Sequence, residues 1–406
     1  MSYYETLVPS KHFYFKKFKL LDKTDLQIIF EMRKECPEGP RNVRKIAQKL
    51  DLPQQTVDYR VRRFAHLNLV RFRAVSNEPV LGLENYAVMT TVKPGLLYES
   101  KKGDAINAGT FLTCHPVWRL LKEIHGGFSH GFFVQYSIPR GGANDLRRFL
   151  EKLKQIGCIE KVDDFCRITS SYFNTPSLDL YLEGVEAVQS GREVSFDWQK
   201  WTDGFEKAEP AIPPEEAIPK ESIPFTHEHL LVLYHLERDL RESFVNIAKS
   251  IGERSAKVSQ WFKEILLHNL IGACKVEIYP GDLTTMIHLV LKLEFTDEVA
   301  LRKFLSHLDE MPYPATYQKM FQKNVIFLHI AVPPNEYFSF HNAFETLSRE
   351  HDAISQFAQF VGNHVADFDN IKLFEAFSKE ENDWIFSYEE LHKAFERLRV
   401  DTKFQF

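Results

Sequence analysis

Two stretches of the chain carry the same pattern of apolar residues about half a chain length apart. Residues 46–70 align without a gap on residues 247–271, although few residues are identical. The coinciding apolar pairs are Ile46/Ile247, Ala47/Ala248, Leu50/Ile251, Val57/Val258, Val61/Phe262, Phe64/Ile265, Leu69/Leu270 and Val70/Ile271. A helical apolar run precedes each stretch, and an alternating strand follows it, most clearly over residues 287–295. This repeat restricts the chain to a duplicated unit of helices, strand, helix, strand, helix and strand.

The border between the two copies is marked by composition. Residues 208–224 contain five prolines and four glutamates against one lysine. Proline at this density prevents a helix or a central strand and predicts an extended, semi-rigid linker. The chain therefore divides into two halves of similar length.

Whole-chain composition excludes several classes of protein. With 44% hydrophobic and 26% charged residues, the chain is globular and not disordered. Its apolar runs are far shorter than the roughly 20 residues of a membrane span, and we expect no secretory signal. The five cysteines are scattered without a CxxC pair, so we expect neither a zinc site nor a disulfide framework, and a cytoplasmic location.

A helix-turn-helix is predicted within the first copy. A helix over residues 43–50 is followed by a break at residues 51–53 and a second helix over residues 54–67, which Pro53 is well suited to begin. The apolar residues of the second helix share one face, and the opposite face carries polar side chains, namely Gln55, Tyr59, Arg62 and His66. Gln and Arg are suited to bidentate contacts with base edges in the major groove.

Charge is concentrated on the same segment. The net charge of the chain is −5, yet residues 41–73 contain nine Lys or Arg residues against two acids. The aligned residues 242–274 contain four basic residues against three acids. The first helix-turn-helix therefore has the electrostatic footprint of a phosphate-backbone binder, and the second does not.

These residues resemble the DNA-binding domain of Lrp/AsnC (feast/famine) transcriptional regulators. The resemblance rests on residues 21–29, 46–52 and 56–64. It implies an α+β fold of two repeats, each a winged helix-turn-helix followed by a ferredoxin-like (βαββαβ) sensing domain. It further implies a DNA-binding transcriptional regulator, with double-stranded DNA and a homodimer through the sensing-domain sheets as partners, and a small-molecule effector as a further ligand.

The resulting domain boundaries follow the repeat. The predicted domains are a winged helix-turn-helix over 1–79, a sensing domain with C-terminal extension over 80–205, a linker over 206–224, a degenerate winged helix-turn-helix over 225–280 and a second sensing domain with extension over 281–406. We expect each extension to anchor on the sheet of its own unit through tryptophans, Trp198 and Trp201 in the first and Trp384 in the second.

Two sets of site residues follow from the resemblance. The predicted DNA-binding residues are Arg44, Lys45, Gln54, Gln55, Thr56, Tyr59, Arg60, Arg62, Arg63, Arg71 and Arg73. The predicted effector loop comprises Gly126, Gly127, Ser129 and His130. This loop keeps the glycines of the family's Gly-x-x-Asp turn but lacks the acid.

Two alternative functions stay open. Winged helices also serve as protein-interaction modules without sequence-specific DNA binding. Some proteins that resemble this family are decarboxylases of tetrapyrrole side chains, which use His and Arg in a pocket between two sensing domains. Because the first recognition helix is intact and no nucleophile–base pair or phosphate-binding motif is present, we expect no enzyme and no cofactor.

A metal site is also not expected. The histidines His115, His125 and His130 lie within 16 residues, but ligand spacing on one element is absent. We identified no cysteine or acid that completes a set at short range.

Overall fold

A computed structural model describes residues 20–67, 69–93, 96–99, 105–126, 129–174, 176–190, 196–211, 223–278, 286–362, 368–369, 372–398 and 403–405. Its fold is α+β, as predicted. The central part of the predicted linker, residues 212–222, lies outside the described residues.

The first winged helix-turn-helix contains three helices and one strand. They are α1 (Lys23–Lys34), α2 (Val43–Lys49), α3 (Gln54–His66) and β1 (Val70–Ser76). Asp22 caps α1 in a capping box with Asp25, which explains why the helix begins there. Val57, Val61 and Phe64 are fully buried on one face of α3, in agreement with the predicted apolar stripe.

The second copy repeats this arrangement. Its elements are α8 (His227–Arg238), α9 (Phe244–Ile251), α10 (Ser255–Leu267) and β9 (Ile271–Ile278). β1 and β9 pair antiparallel along their length, from Val70 opposite Ile278 to Ser76 opposite Ile271. The strand that follows each helix-turn-helix therefore joins the two winged helices to each other.

Each half then forms a four-stranded ferredoxin-like sheet. The first contains β2 (Leu83–Thr91), α4 (Ala108–Leu112), β5 (Trp118–Gly126), β6 (Ser129–Pro139), α5 (Ala143–Gln155) and β7 (Lys161–Ile168), with short strands β3 (Leu96–Glu99) and β4 (Ala105–Ile106) before α4. The second contains β10 (Ile287–Phe295), α11 (Glu298–His307), β11 (Ala315–Lys319), β12 (Val325–Val332), α12 (Tyr337–Arg349) and β13 (Ile354–Gly362). The strand orders, β7-β2-β6-β5 and β13-β10-β12-β11, are equivalent.

The two sheets form one assembly within the chain. β5 pairs with β13, which joins the eight strands of the two halves in one sheet. β8 (Tyr172–Phe173) pairs with β11 and β14 (Phe368–Asp369) pairs with β5, so the sheet has ten strands among the described residues. Phe133 of the first half meets Phe327 of the second with ring centroids 5.3 Å apart. The sheet faces through which a homodimer was predicted to form are thus packed against each other inside one chain.

The C-terminal extensions cross over, contrary to the expectation that each anchors on its own unit. After β8 the first half continues through α6 (Leu178–Gln189) and α7 (Trp198–Gly204), where Trp198 contacts Phe340 of α12 and Trp201 stacks on His307 of α11. The second half ends with β15 (Phe377–Ser378), β16 (Asp383–Trp384), α13 (Tyr388–Leu398) and β17 (Lys403–Gln405). α13 packs on the first half, with Phe395 against Phe111. Each unit is therefore completed by the extension of the other.

A disulfide joins Cys36, just after α1, to Cys274 on β9. The expectation of no disulfide is therefore wrong, because the two cysteines are 238 positions apart and only the paired strands of the two halves bring them together. The cytoplasmic location was expected from the absence of paired cysteines, and the disulfide contradicts that argument. Among the described residues, no helix is long and apolar enough to cross a membrane.

Candidate functional site

A cavity of about 220 Å³ lies where both halves meet. α1 of the first winged helix, the residues around β8 and α6, and β9 of the second winged helix form one side of it. β10, β11 and β12 of the second sheet form the other side, and Lys122 on β5 belongs to the first sheet. Both sensing domains and both winged helices therefore contribute to this cavity.

The cavity lining is rich in cations. Arg33, Lys122 and Lys275 line it together with two histidines, His288 and His329. Among the described residues, the acid in the lining is Glu277, whose carboxylate lies 2.6 Å from the Lys275 ammonium and 3.9 Å from the guanidinium of Arg73. Guanidinium and ammonium groups are the side chains suited to bind carboxylate groups of a ligand.

Arg33 is held in a fixed orientation at the cavity wall. Its Nη1 donates to the carbonyl of Pro176 at 3.2 Å, and its guanidinium lies 4.4 Å from the centroid of Phe30. Burial lowers the pKa of Arg33, although a guanidinium stays charged at neutral pH. Helix α1, which contains Arg33, and the segment before α6 together position this charge.

His329 is a neutral, buried base in the centre of β12. Burial, followed by the nearby Lys122 and Lys275 ammonium groups, lowers its pKa well below the ordinary value. Its Nε2 lies 3.0 Å from Oε1 of Gln318, whose own amide nitrogen donates to Ser171. We assign the proton to Nε2, because it faces a carbonyl oxygen. Nδ1 is then an unprotonated acceptor, and no partner for it exists among the described residues.

Most predicted DNA-binding cations are bound to acids of the same domain. Arg60 contacts Asp22 and Asp25 at 2.7 and 2.6 Å, and Arg63 also contacts Asp25. Lys45 and Lys49 contact Glu35 after α1. The acids lie before residue 41, so the local charge count over residues 41–73 did not include them.

The two wing arginines of β1 take different positions. Arg73 is half-buried and donates to the carbonyl of Glu237 at 2.7 Å. Arg71 is exposed on the same strand. Arg241, in the loop before α9, donates to the carbonyl of Val61 at 3.2 Å, so basic residues also fasten the two winged helices together.

The outward face of α3 is nevertheless present as predicted. Gln54, Gln55 and Arg44 are exposed, Thr56 is half-buried, and Tyr59 is 68% exposed. Arg62 is 76% exposed and contacts Asp58 one helical turn earlier at 2.6 Å. In α10, Glu264 contacts His229 at 2.8 Å, so that acid binds a neighbouring helix of its own domain.

The predicted effector loop is described only in part. Gly126 ends β5, Ser129 begins β6, and Gly127 lies outside the described residues. His130 is half-buried, and its Nε2 lies 2.6 Å from Glu123. This loop does not contribute to the lining of the cavity.

Comparison with solved structures shows which fold this is. The chain is similar to the siroheme decarboxylase NirDL, with a TM-score of 0.52 and 13% identity over 92% of this chain and 100% of that one. It is likewise similar to NirDL in co-complex with an iron-uroporphyrin III analogue, with a TM-score of 0.51 and 12% identity over 93% of this chain and 98% of that one. No protein-family model and no curated protein matches the sequence. These comparisons therefore show the fold, and the resemblance to Lrp/AsnC regulators stays a prediction from the sequence.

The expectation of a protein without enzymatic activity is corrected by this comparison. The two solved structures named above, which share the fold over almost the whole chain, are structures of an enzyme. An intact, basic recognition helix was the argument against an enzyme, but Asp22 and Asp25 bind two of its arginines.

Sequence reasoning missed the residues that line the cavity. Arg33, Lys122, Lys275 and His288 stand in segments without a motif. His329 left one signal, because it interrupts an otherwise apolar strand over residues 325–330. A titratable residue within a buried strand indicates a site when it has no structural partner for one of its nitrogens.

Proposed function

We propose that the protein is a decarboxylase that removes CO₂ from a carboxylate side chain of a polycarboxylate of the tetrapyrrole class. The observation that carries this proposal is the cavity between the halves, where three cations and two histidines face one acid. The likeness of the fold to siroheme decarboxylase NirDL supports the choice of reaction. A cavity of about 220 Å³ is smaller than the ~300–1,000 Å³ of pockets for whole drug-sized ligands, so it would receive one arm and an edge of the ring.

The cations and the histidines have different parts in this proposal. Negative charge leaves the reacting carboxylate as CO₂ forms, so a cation that binds that carboxylate tightly in the ground state would slow the reaction. We therefore assign Arg33, Lys122 and Lys275 to neighbouring carboxylates that do not react. The reacting arm would lie against the histidines.

The reaction also needs a proton. When the carbon–carbon bond to the carboxylate breaks, its electron pair stays on the side-chain carbon, which must take up a proton to become a methyl group. We assign His288 as the donor, because it is half-buried at the cavity wall and can exchange protons with solvent. His329, which is buried and neutral, would contact the reacting arm without adding a charge beside it.

The test is incubation of the full chain with siroheme, followed by mass spectrometry of the tetrapyrrole. We expect a mass decrease that corresponds to CO₂. The His288→Gln variant should bind siroheme but not convert it. The Lys122→Met variant should bind siroheme more weakly, and a titration followed by the absorbance of the tetrapyrrole measures this binding. His392→Gln, on α13, is the matched control and should behave as the unaltered chain. Absence of both binding and conversion would contradict the proposal, as would full activity of His288→Gln and Lys122→Met.

DNA binding is a second candidate function, favoured by the exposure of Tyr59 and Arg62 on α3. In this alternative Gln54, Gln55 and Arg62 would contact base edges, and Arg44 and Tyr59 would contact phosphates. Binding to duplex DNA should then fall steeply with salt, and Arg62→Ala should lose about 1–3 kcal/mol at a specific site. No retention of duplex DNA at low salt would exclude this alternative. The homodimer remains a prediction, which sedimentation of the full chain would test.

A further inference from the structure

Three side chains with metal-ligand atoms meet at the end of the β5–β6 hairpin. Glu123 and His125 are on β5, two residues apart, and His130 on β6 lies directly opposite His125. In an antiparallel pair, residues at i and i+2 share one face, and directly opposite residues share it as well. The strand geometry alone therefore places all three side chains together, and one ligand atom of each lies within 4.8 Å of the others.

The distances between the ligand atoms lie on either side of the spacing that a single small cation imposes. Glu123 Oε1 lies 2.6 Å from His130 Nε2 and 4.0 Å from His125 Nε2. The two imidazole rings are stacked, with centroids 4.7 Å apart and planes inclined by 6°. Ligands bound to one ion at about 2.0–2.2 Å are roughly 3–3.5 Å from each other, so small side-chain shifts would close the set.

The set is open on one side. Glu123 and His130 are each 18% exposed and His125 is 51% exposed, so water reaches the cluster. Nε2 of His130 is the nitrogen that faces the other ligands, since it lies 2.6 Å from Glu123, and the buried Nδ1 has no partner among the described residues. Three protein ligands with room for water are typical of reactive rather than purely structural metal sites.

The cluster is separate from the cavity described above. Lys122, the residue before Glu123, lines the cavity, and alternation along the strand sends the side chains of neighbouring residues to opposite faces. The hairpin end also belongs to the contact between the halves, because His125 pairs with Val361 of β13. A ligand bound here would therefore lie next to the junction of the two sheets.

We propose that Glu123, His125 and His130 bind a divalent transition-metal ion such as Zn²⁺ or Co²⁺. Two imidazoles and one carboxylate favour these ions over Mg²⁺ or Ca²⁺, which prefer oxygen ligands alone. The carboxylate also offsets part of the charge of the ion. This site is independent of the proposed decarboxylation, since none of its three residues lines the cavity.

The experiment is a titration of the untagged, metal-free full chain with Co²⁺, followed by visible absorption and by competition with Zn²⁺. We expect one equivalent of Co²⁺ to give a ligand-field band that Zn²⁺ removes. His125→Ala and Glu123→Gln should both abolish the band. Neither change should unfold the protein, because His125 is exposed and Gln has nearly the same shape as Glu. Circular dichroism of each variant checks that it is folded. The matched control is His392→Ala, which removes a histidine 3.9 Å from Glu396 that has no third ligand among the described residues. That variant should keep the band. Absence of a band in the unaltered chain, or a band that persists in both His125→Ala and Glu123→Gln, would overturn the proposal.

Discussion

At the scale of single residues, Asp25 decides what the arginines of α3 do. Its carboxylate is fully buried in α1, and Arg60 and Arg63 both contact it. A charged group in such a place is stable only with partners, so the two guanidinium groups are held for structural reasons. An arginine-rich helix is therefore a poor guide to nucleic-acid binding when a buried acid lies on the neighbouring helix.

Replacement of Asp25 by Asn tests this conclusion. We expect the free energy of unfolding to fall by about 2–4 kcal/mol, less than for a fully buried pair because both guanidinium groups are partly exposed. Urea unfolding followed by circular dichroism measures the change. Arg62→Ala, which removes an exposed partner of Asp58, is the control and should cost less than about 1 kcal/mol. Equal stability of Asp25→Asn and the unaltered chain would show that the pair is not structural.

At the scale of elements, each half is held by helices and strands that pack on the other half. β1 pairs with β9, α7 packs on the second sensing domain, and α13 packs on the first. The disulfide between Cys36 and Cys274 adds a covalent link across the same junction, and Cys274 also lines the cavity. We infer that the cavity keeps its shape because elements of both halves cannot move apart independently.

The disulfide leads to a prediction about thiol count and stability. Titration of the denatured, unreduced chain should find three free thiols, those of Cys114, Cys158 and Cys166, out of five cysteines. Reduction should lower the urea midpoint. A cross-link over 238 positions reduces the conformational entropy of the unfolded chain and so raises the free energy of unfolding by up to about 5 kcal/mol. In Cys36→Ala the reductant should have no effect on the midpoint. Five reactive thiols before reduction would refute the link.

At the scale of the whole molecule, two buried histidines make stability depend on pH. Burial lowers the pKa of His115 in the first half to about 4, and burial lowers that of His329 in the second half well below its ordinary value. The unfolded chain binds protons at these residues near pH 6.5, whereas the folded chain does not. Protonation therefore favours unfolding in both halves as the pH falls.

The expected pH dependence has a defined range and sign. Stability should be independent of these groups above about pH 6.5 and should decrease below it, by at most about 1.4 kcal/mol per pH unit for each histidine, until His115 titrates in the folded state near its pKa of about 4. Urea unfolding across this range provides the measurement. The His115→Phe variant lacks this titratable group, so its free energy of unfolding should change less steeply with pH than that of the unaltered chain. An identical slope in both proteins would exclude His115 as a contributor.

The sequence by itself determined the helices, the strands and their repetition. The buried stripe of Val57, Val61 and Phe64, the alternation along β10 and the match between the two halves depend on local periodicity, which a sequence displays directly. The α+β fold of two repeats was implied by the resemblance to Lrp/AsnC regulators over residues 21–29, 46–52 and 56–64.

Only the tertiary structure decided which groups meet. Asp25 reaches Arg60 across 35 positions, Cys36 reaches Cys274 across 238, and Lys122 lines the same cavity as His329 of the other half. Even Glu123, two residues from His125, was identified as a neighbour of His130 only once the register of the β5–β6 hairpin was known. Periodicity encodes which side of an element faces the core, whereas a site depends on which elements the chain path places side by side.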